Sequence, residues 1–195
     1  MAKVEEAAHE AQHLSSQNRR VALLISVLAL FLAFAETLGK SAQTAALSYN
    51  VETSNLWAFF QAKTIRMTVI RTAAEEMEID LAGITDDALK AARQKRIDAW
   101  KATAARYETE PETGEGRREL SERAKVAEER REKAMGKYHL FEIASALLQI
   151  GIVLASATVI TGILALSFLA GSLGIGGVVL MALGLWLPDI AHVIF

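Results

Sequence analysis

Five titratable side chains stand where apolar runs begin or end: Glu36, His139, Glu142, Asp189 and His192. Three carboxylates and two imidazoles at one interface could pass a proton or hold a divalent cation. Ionisable groups inside or at the edge of a bilayer are functional candidates by default. The plainer reading is that all five mark the headgroup boundary beside Lys40 and Lys137, and it is the favoured one. His9 and His13 stand i, i+4 near the N-terminus with Glu6 and Glu10, a second metal face in principle. Exposed pairs of this kind are usually solvated. The chain has no G-x-S-x-G, P-loop, H-E-x-x-H or Rossmann glycine pattern. It has no Cys, which removes disulfides, thiolate zinc sites and Cys nucleophiles. The expectation is therefore a protein that is not an enzyme and needs no cofactor.

The elements that would position these residues follow from how charge is distributed. Thr85 to Lys137 holds 26 charged side chains in 53 residues, whereas Ile143 to Pro188 holds none in 46. A soluble domain interleaves the two kinds of position; separate blocks are the signature of a membrane protein with a polar extramembrane part. The net charge of −2 offers no basic field for nucleic acid.

The uncharged block divides at AGSLGIGG, Ala170 to Gly177. We expect two antiparallel spanning helices, over 141–169 and 174–195, joined by a glycine-rich turn. A spanning helix needs about 20 apolar residues. The first apolar run, VALLISVLALFLAFA, has 15 between Arg20 and Glu36. At 1.5 Å per residue that is about 22 Å, short of a hydrocarbon core of about 30 Å. It reads either as a cleavable signal ending at Ala33-Phe34-Ala35 or as a span over 21–39 whose last turn lies among the headgroups. Glu5, Glu6 and Glu10 make the preceding 1–20 segment too acidic for a signal and favour the span. Arg19 and Arg20 argue for a cytoplasmic N-terminus, while six Lys or Arg in residues 121–140 argue for a cytoplasmic middle region, 40–140. The balance leans slightly to the latter.

An apolar stripe recurs in alternate fours and threes through Ala42, Ala46, Tyr49, Thr53, Leu56, Phe60, Lys63, Met67, Ile70, Ala74, Met77 and Leu81. It extends back through Gly39, Ala35, Leu32, Leu28, Ile25 and Val21, and no Pro interrupts residues 1–110. Such a heptad predicts one long helix that coils against partners. Lys63 stands at a core position, where a lone polar group fixes register at some cost in stability. Trp57 and Gln61 flank the seam on one side, and Phe59 and Arg66 on the other; Gln61, Lys63 and Arg66 are candidate pairing or ligand groups.

Beyond it, Thr85 is the expected N-cap of a second helix, with Asp86 and Asp87 in its first turn. TEPETGEG, Thr109 to Gly116, reads as a turn, and a third helix from Arg117 continues into the second span. Its seam runs Leu120, Ala124, Ala127, Arg131, Ala134, Tyr138 and Phe141. A small-residue stripe, Ala144, Gly151, Ala155, Thr158, Gly162 and Ala165, predicts close helix packing in lipid.

An apolar helix, then W-x-x-x-Q-A-K-x-x-R (Trp57, Gln61, Ala62, Lys63, Arg66), then a charged helical stretch and two closing apolar helices resembles a bacterial domain-of-unknown-function family of small inner-membrane proteins. The resemblance covers nearly the whole chain. It implies a membrane protein without assigned activity, and no substrate or cofactor. The family pattern often has Tyr where Phe60 stands, which argues against a hydroxyl-dependent role there.

The expected fold is thus an all-α membrane protein with three transmembrane helices, a coiled-coil-like helix and a charged helical hairpin outside the bilayer. The expected function is a homo-oligomeric structural, assembly or docking component whose expected partners are membrane lipids, further copies of itself and a larger membrane protein complex. The alternative is a small ion channel or transport component using the interfacial acid and His cluster.

Overall fold

Residues 1–81 are rich in Ala, Leu, Glu and other good helix formers, lack Pro, and contain one Gly. In the computed structural model they form a single helix, α1 (Ala2–Leu81). Three more follow: α2 (Asp87–Glu108), α3 (Arg117–Thr161) and α4 (Leu164–Trp186). The structure describes the backbone of residues 2–186 and the side chains of residues 18–186. Among the described residues the fold is all helical, as the periodicity predicts.

The chain divides into two units, Met1–Ala46 with Glu132–Phe195, and Leu47–Arg131. The first is built from the start of α1, the latter part of α3, and α4. Its core joins Leu28, Ala35 and Ala42 of α1 to Phe141, Ala144 and Leu148 of α3 and Met181 of α4. Val21, Ala155 and Ala170 form a further cluster. The buried positions of α4 are Ala170, Gly174, Gly177, Met181 and Gly184, again in alternate fours and threes. That spacing keeps one narrow strip of each helix turned inward.

The strip is made of small residues, and larger ones seat on it. A Cβ on Gly151 would lie 3.3 Å from Leu28 Cδ1 and 3.2 Å from the Ala170 carbonyl oxygen. A Cβ on Gly174 would collide with Leu28 Cδ2, and one on Gly177 would lie 2.9 Å from Leu148 Cγ. Leu28 therefore fills a notch formed by glycines of two other helices. Around this strip, large apolar side chains face outward: Phe34, Val153, Ile160, Phe168, Ile175 and Trp186 are all more than half exposed. Three helices, within Asn18–Leu81, Arg117–Thr161 and Leu164–Trp186, are long and apolar enough to cross a membrane.

The turn between the last two helices corrects the sequence reading. It lies at Gly162-Ile163, not at Ala170–Gly177, so a single helix does not run over 141–169. Gly162 has φ +72°, and its N–H donates to the Thr158 carbonyl at 2.9 Å, the left-handed C-terminal cap that glycine adopts without steric cost. Ile163 N–H donates to the Thr161 hydroxyl at 3.3 Å. Gly174 and Gly177 of AGSLGIGG are packing surface within α4, and their propensity cost is overridden where close approach is needed. Gly162 is accordingly not part of the packing seam; it is exposed, with open space where a Cβ would be. Gly151 and Ala155, predicted beside it, are buried.

The second unit contains the end of α1, all of α2 and the start of α3. Leu56 of α1 packs with Leu120, Ala124 and Ala127 of α3, and Trp57 and Phe60 cover the cluster. The α2 helix buries Ile97 and Ala104, one heptad apart, and is tied to α1 by Arg93–Asp80 (3.8 Å) and Lys101–Glu78 ion pairs. Its N-cap is Asp86, one residue later than expected. The Asp86 carboxylate accepts from Ala88 N–H at 2.9 Å and Leu89 N–H at 3.2 Å, two donors that the helix start would otherwise leave unpaired.

The periodic stripe of α1 is the buried face. Every described α1 residue that is buried lies on it: Val21, Leu28, Ala35, Gly39, Ala42, Ala46, Thr53, Leu56, Lys63, Met67 and Ala74. Where the core clusters identify the packing partners, they are helices of the same chain.

Candidate functional site

The W-x-x-x-Q-A-K-x-x-R stretch lies on one helical face and its opposite, because 3.6 residues complete a turn. Trp57 and Lys63 turn toward α3 and the 109–116 loop; Gln61 and Arg66 turn to solvent. Only the inward pair enters a built arrangement.

Lys63 is the deepest charged group described, 6% exposed. Its Nζ lies 3.7 Å from Glu110 Oε2 and 3.9 Å from Glu115 Oε2, both on the loop between α2 and α3. It sits 5.4 Å from the Phe59 ring centre and 5.2 Å from that of Tyr107, within cation–π range. A buried ammonium must be paired or solvated, and here two carboxylates and two aromatic faces do it.

Arg117, the first residue of α3, extends the arrangement. Its Nε donates to Thr64 Oγ1 at 2.8 Å, and its Nη1 to Glu108 Oε2 at 2.8 Å and toward Met67 Sδ at 3.8 Å. The guanidinium lies 4.9 Å from the Phe60 ring centre. Phe60 also meets Trp57 edge-on, with ring centres 5.4 Å apart. Trp57 Nε1 donates to Glu128 Oε1 at 3.0 Å.

The loop itself is shaped to meet Lys63. Glu119 Oε2 accepts from the Glu110 N–H at 3.2 Å. Gly114 takes φ +67°. At Gly116 a Cβ would collide with the Glu119 carboxylate and lie 2.5 Å from the Glu110 nitrogen, so only glycine lets the chain pass. These contacts fix the TEPETGEG turn onto α1. The arrangement holds charge and closes a hairpin. Glu110 also pairs with Arg106 at 3.4 Å, and Glu108 with Arg71 at 3.7 Å, so its carboxylates are already shared among cations.

Glu108, Glu110, Glu115 and Arg117 were not singled out by the sequence reading. A lysine at a core heptad position signals that a carboxylate must meet it, but the sequence does not say which one. Of the predicted seam residues, Leu56, Lys63 and Met67 are buried, and Trp57, Phe60 and Ile70 are half-buried. Gln61 and Arg66 are exposed and make no side-chain hydrogen bond or ion pair among the described residues. They do not pair helices within the chain.

The interfacial cluster of acids and imidazoles is only partly described. Asp189 and His192 lie outside the described residues, as do the side chains of His9 and His13. Glu36 Oε1 accepts from Gln149 Nε2 at 3.4 Å, a contact between α1 and α3. Glu142 accepts from the Tyr138 hydroxyl at 3.1 Å and lies 3.8 Å from His139 Nδ1. Among the described residues no three His, Asp or Glu side chains are grouped so as to hold a metal ion.

A family model described as a domain of unknown function, DUF4337, matches residues 17–187. The chain belongs to this family. No curated protein and no solved structure matches it. The DUF4337 match takes in both units and the whole Lys63 arrangement, and it carries no activity with it.

Proposed function

We propose that this protein is a multi-pass protein of the bacterial inner membrane and works as a homo-oligomeric structural, assembly or docking component. The observation that carries the reading is how the apolar helices divide their surfaces. They turn Ala, Gly and a few larger residues toward one another and leave Phe34, Val153, Ile160, Phe168 and Ile175 outward. In water such a surface would be an aggregation hazard; against lipid tails it is the low-energy arrangement.

The hydroxyl groups of these helices support assembly over conduction. Ser156, Thr158 and Thr161 donate to carbonyls four residues back, and Ser145, Ser167 and Ser172 to carbonyls three back. Hydroxyls whose hydrogens are taken up by their own helix are not free donors for an anion or a proton relay, which counts against that form of conduction. The charged hairpin, closed by Lys63 and Arg117, is then a rigid platform for a partner.

A second reading, a small ion channel or transport component, rests on the Glu36–Gln149 contact between two apolar helices. Its proton or cation would be handled by Glu36, His139 and Glu142 with Asp189 and His192.

Native mass spectrometry after release from the natural membrane in a mild detergent tests the first reading. A closed homo-oligomer is expected. A monomer, or a complex with a different protein, overturns self-assembly. Ion flux in liposomes that is abolished by Glu36→Gln would move the assignment to the second reading.

A further inference from the structure

From Val21 to Gly39 and from Ile143 to Trp186 the sequence has one charged residue, Glu36, and one carboxamide, Gln149. The fold brings them together. Gln149 Nε2 donates to Glu36 Oε1 at 3.4 Å, and both residues are exposed. Gln149 stands about 10 Å along α3 beyond Glu142, the last charged residue of that helix, and about 18 Å short of its end at Thr161. The pair is thus about a third of the way across, at hydrocarbon depth. The hydrogen bond is long, and Glu36 Oε2 has no partner among the described residues. A carboxylate at this depth is costly unless another group meets it.

The exposed surface of α1 around Glu36 has two sectors. Leu23, Val27, Leu30 and Phe34, between 41% and 67% exposed, form a bulky one. Beside it Ala22, Ser26, Ala29, Ala33 and Glu36 are all exposed and fall within a sector of about 80°, at 100° per residue. The Ser26 hydroxyl donates to the Ala22 carbonyl at 3.0 Å. This second sector is a shallow track of small residues that leads to the carboxylate.

We propose that the track from Ala22 to Glu36 docks a membrane-spanning helix of a different protein, and that this helix carries a Lys or Arg at the depth of Glu36. The inference rests on the docking reading above and names the partner's chemistry. The charge selects the occupant; the small residues only let its backbone come close. A half-partnered carboxylate in hydrocarbon is complemented by a cation. This chain cannot supply one. Neither stretch contains Lys, Arg or His, and Lys40, one turn further on, makes no ion pair among the described residues. A second copy would therefore bring apolar side chains or its own Glu36, a like charge. Lipid ammonium groups lie in the headgroup layer, about 10 Å away.

The test uses the full chain, reconstituted in phosphatidylcholine vesicles with a Leu-Ala helix of about 24 residues. The helix carries one Arg a third of the way along, and its control has Leu there. Energy transfer between labelled chain and labelled helix reads association. The Arg helix should bind the wild type about tenfold more tightly than the Leu helix. Glu36→Gln should remove that difference, and Ala33→Ile should weaken binding by filling the track. Leu30→Ala, in the bulky sector, should change nothing. Glu36→Lys should lose the Arg helix and gain a helix with Glu at the same place, a gain that an unfolded variant cannot show. Equal binding of the Arg and Leu helices to the wild type, or undiminished binding to Glu36→Gln, overturns the proposal. So do disulfide-linked dimers of Ala33→Cys in native membranes, which would give the track to a second copy. If the wild type is a closed homo-oligomer by mass and ignores the Arg helix, this site is wrong and assembly stands. If alkaline carbonate strips the protein from its membrane, the membrane reading and the site fall together.

Discussion

Lys63 Nζ on α1 lies 3.7 Å from Glu110 Oε2 on the loop that joins α2 to α3. The lysine is nearly inaccessible and the carboxylate is one-fifth exposed. Their contact explains why a charged residue interrupts the apolar stripe of α1. It is a fastening within one chain, where the periodicity alone left open whether the stripe coils against helices of this chain or of another.

The two partners should respond unequally to removal. Glu110→Gln leaves a buried ammonium short of its nearer carboxylate and should cost about 3 kcal/mol. Lys63→Met removes the buried charge and leaves carboxylates that reach water and Arg106, at about 1–2 kcal/mol. Chemical denaturation of the detergent-solubilised protein checks this. Equal losses would mean that the ammonium is not held by Glu110.

Thr53 is a site where the fold can be improved. Its hydroxyl is buried and has no hydrogen-bond partner. Thr53→Val keeps the shape and removes an unpaired polar atom, so stability should rise by about 1 kcal/mol. A fall in melting temperature would show that the hydroxyl has a partner in the membrane-borne protein.

Leu28 and Gly174 should behave as one unit. Gly174→Ala places a methyl group where Leu28 Cδ2 stands and should cost about 1–3 kcal/mol. Combined with Leu28→Ala, the same substitution should cost less than the two singles added together, because the cavity left by one accepts the other. Strict additivity in thermal unfolding would deny the contact.

Gly162 is sensitive for a different reason. Gly162→Ala forces a Cβ into left-handed backbone and should cost about 1–2 kcal/mol, although no atom lies near enough to clash. Gly162→Asn should be milder. The Gly171→Ala control, a helical glycine with open space around it, should be neutral or stabilising.

Lys101 gives a pH dependence. Its hydrogen bond with Glu78 raises the lysine above its usual value of 10.5, opposed by desolvation and helped by nearby acids. A raised lysine stabilises the fold fully below its unfolded value and loses that contribution as pH climbs through the folded one. The melting-temperature gap between wild type and Lys101→Met should therefore be constant well below the usual lysine value of 10.5 and narrow as pH climbs above it. A gap that persists at the alkaline end would assign the effect to packing of the lysine stem.

The sequence by itself determined the helices. Periodicity in fours and threes located the inward face of α1 from Val21 to Ala74 correctly, because a helix repeats its faces whatever covers them. Composition marked the three apolar helices, since length and hydropathy are local properties. Local signals failed where two structures use one residue type. AGSLGIGG looked like a turn and is a packing face, while the lone Gly162 made the turn; glycine serves both, and only its neighbours decide. The partner of a stripe is likewise not a local property. The heptad through Leu56 and Met67 left open whether helices of this chain or of another would cover it. The tertiary structure gave the Leu56 face to α3 and set the 109–116 loop and Arg117 against Lys63 and Met67. It thereby left uncovered the opposite face, around Gln61 and Ile65, which carries only a weak pattern in the sequence. Charge pairing followed the same rule: that Lys63 needed a carboxylate could be read from its position, but which carboxylate depended on how a distant turn came back across the helix.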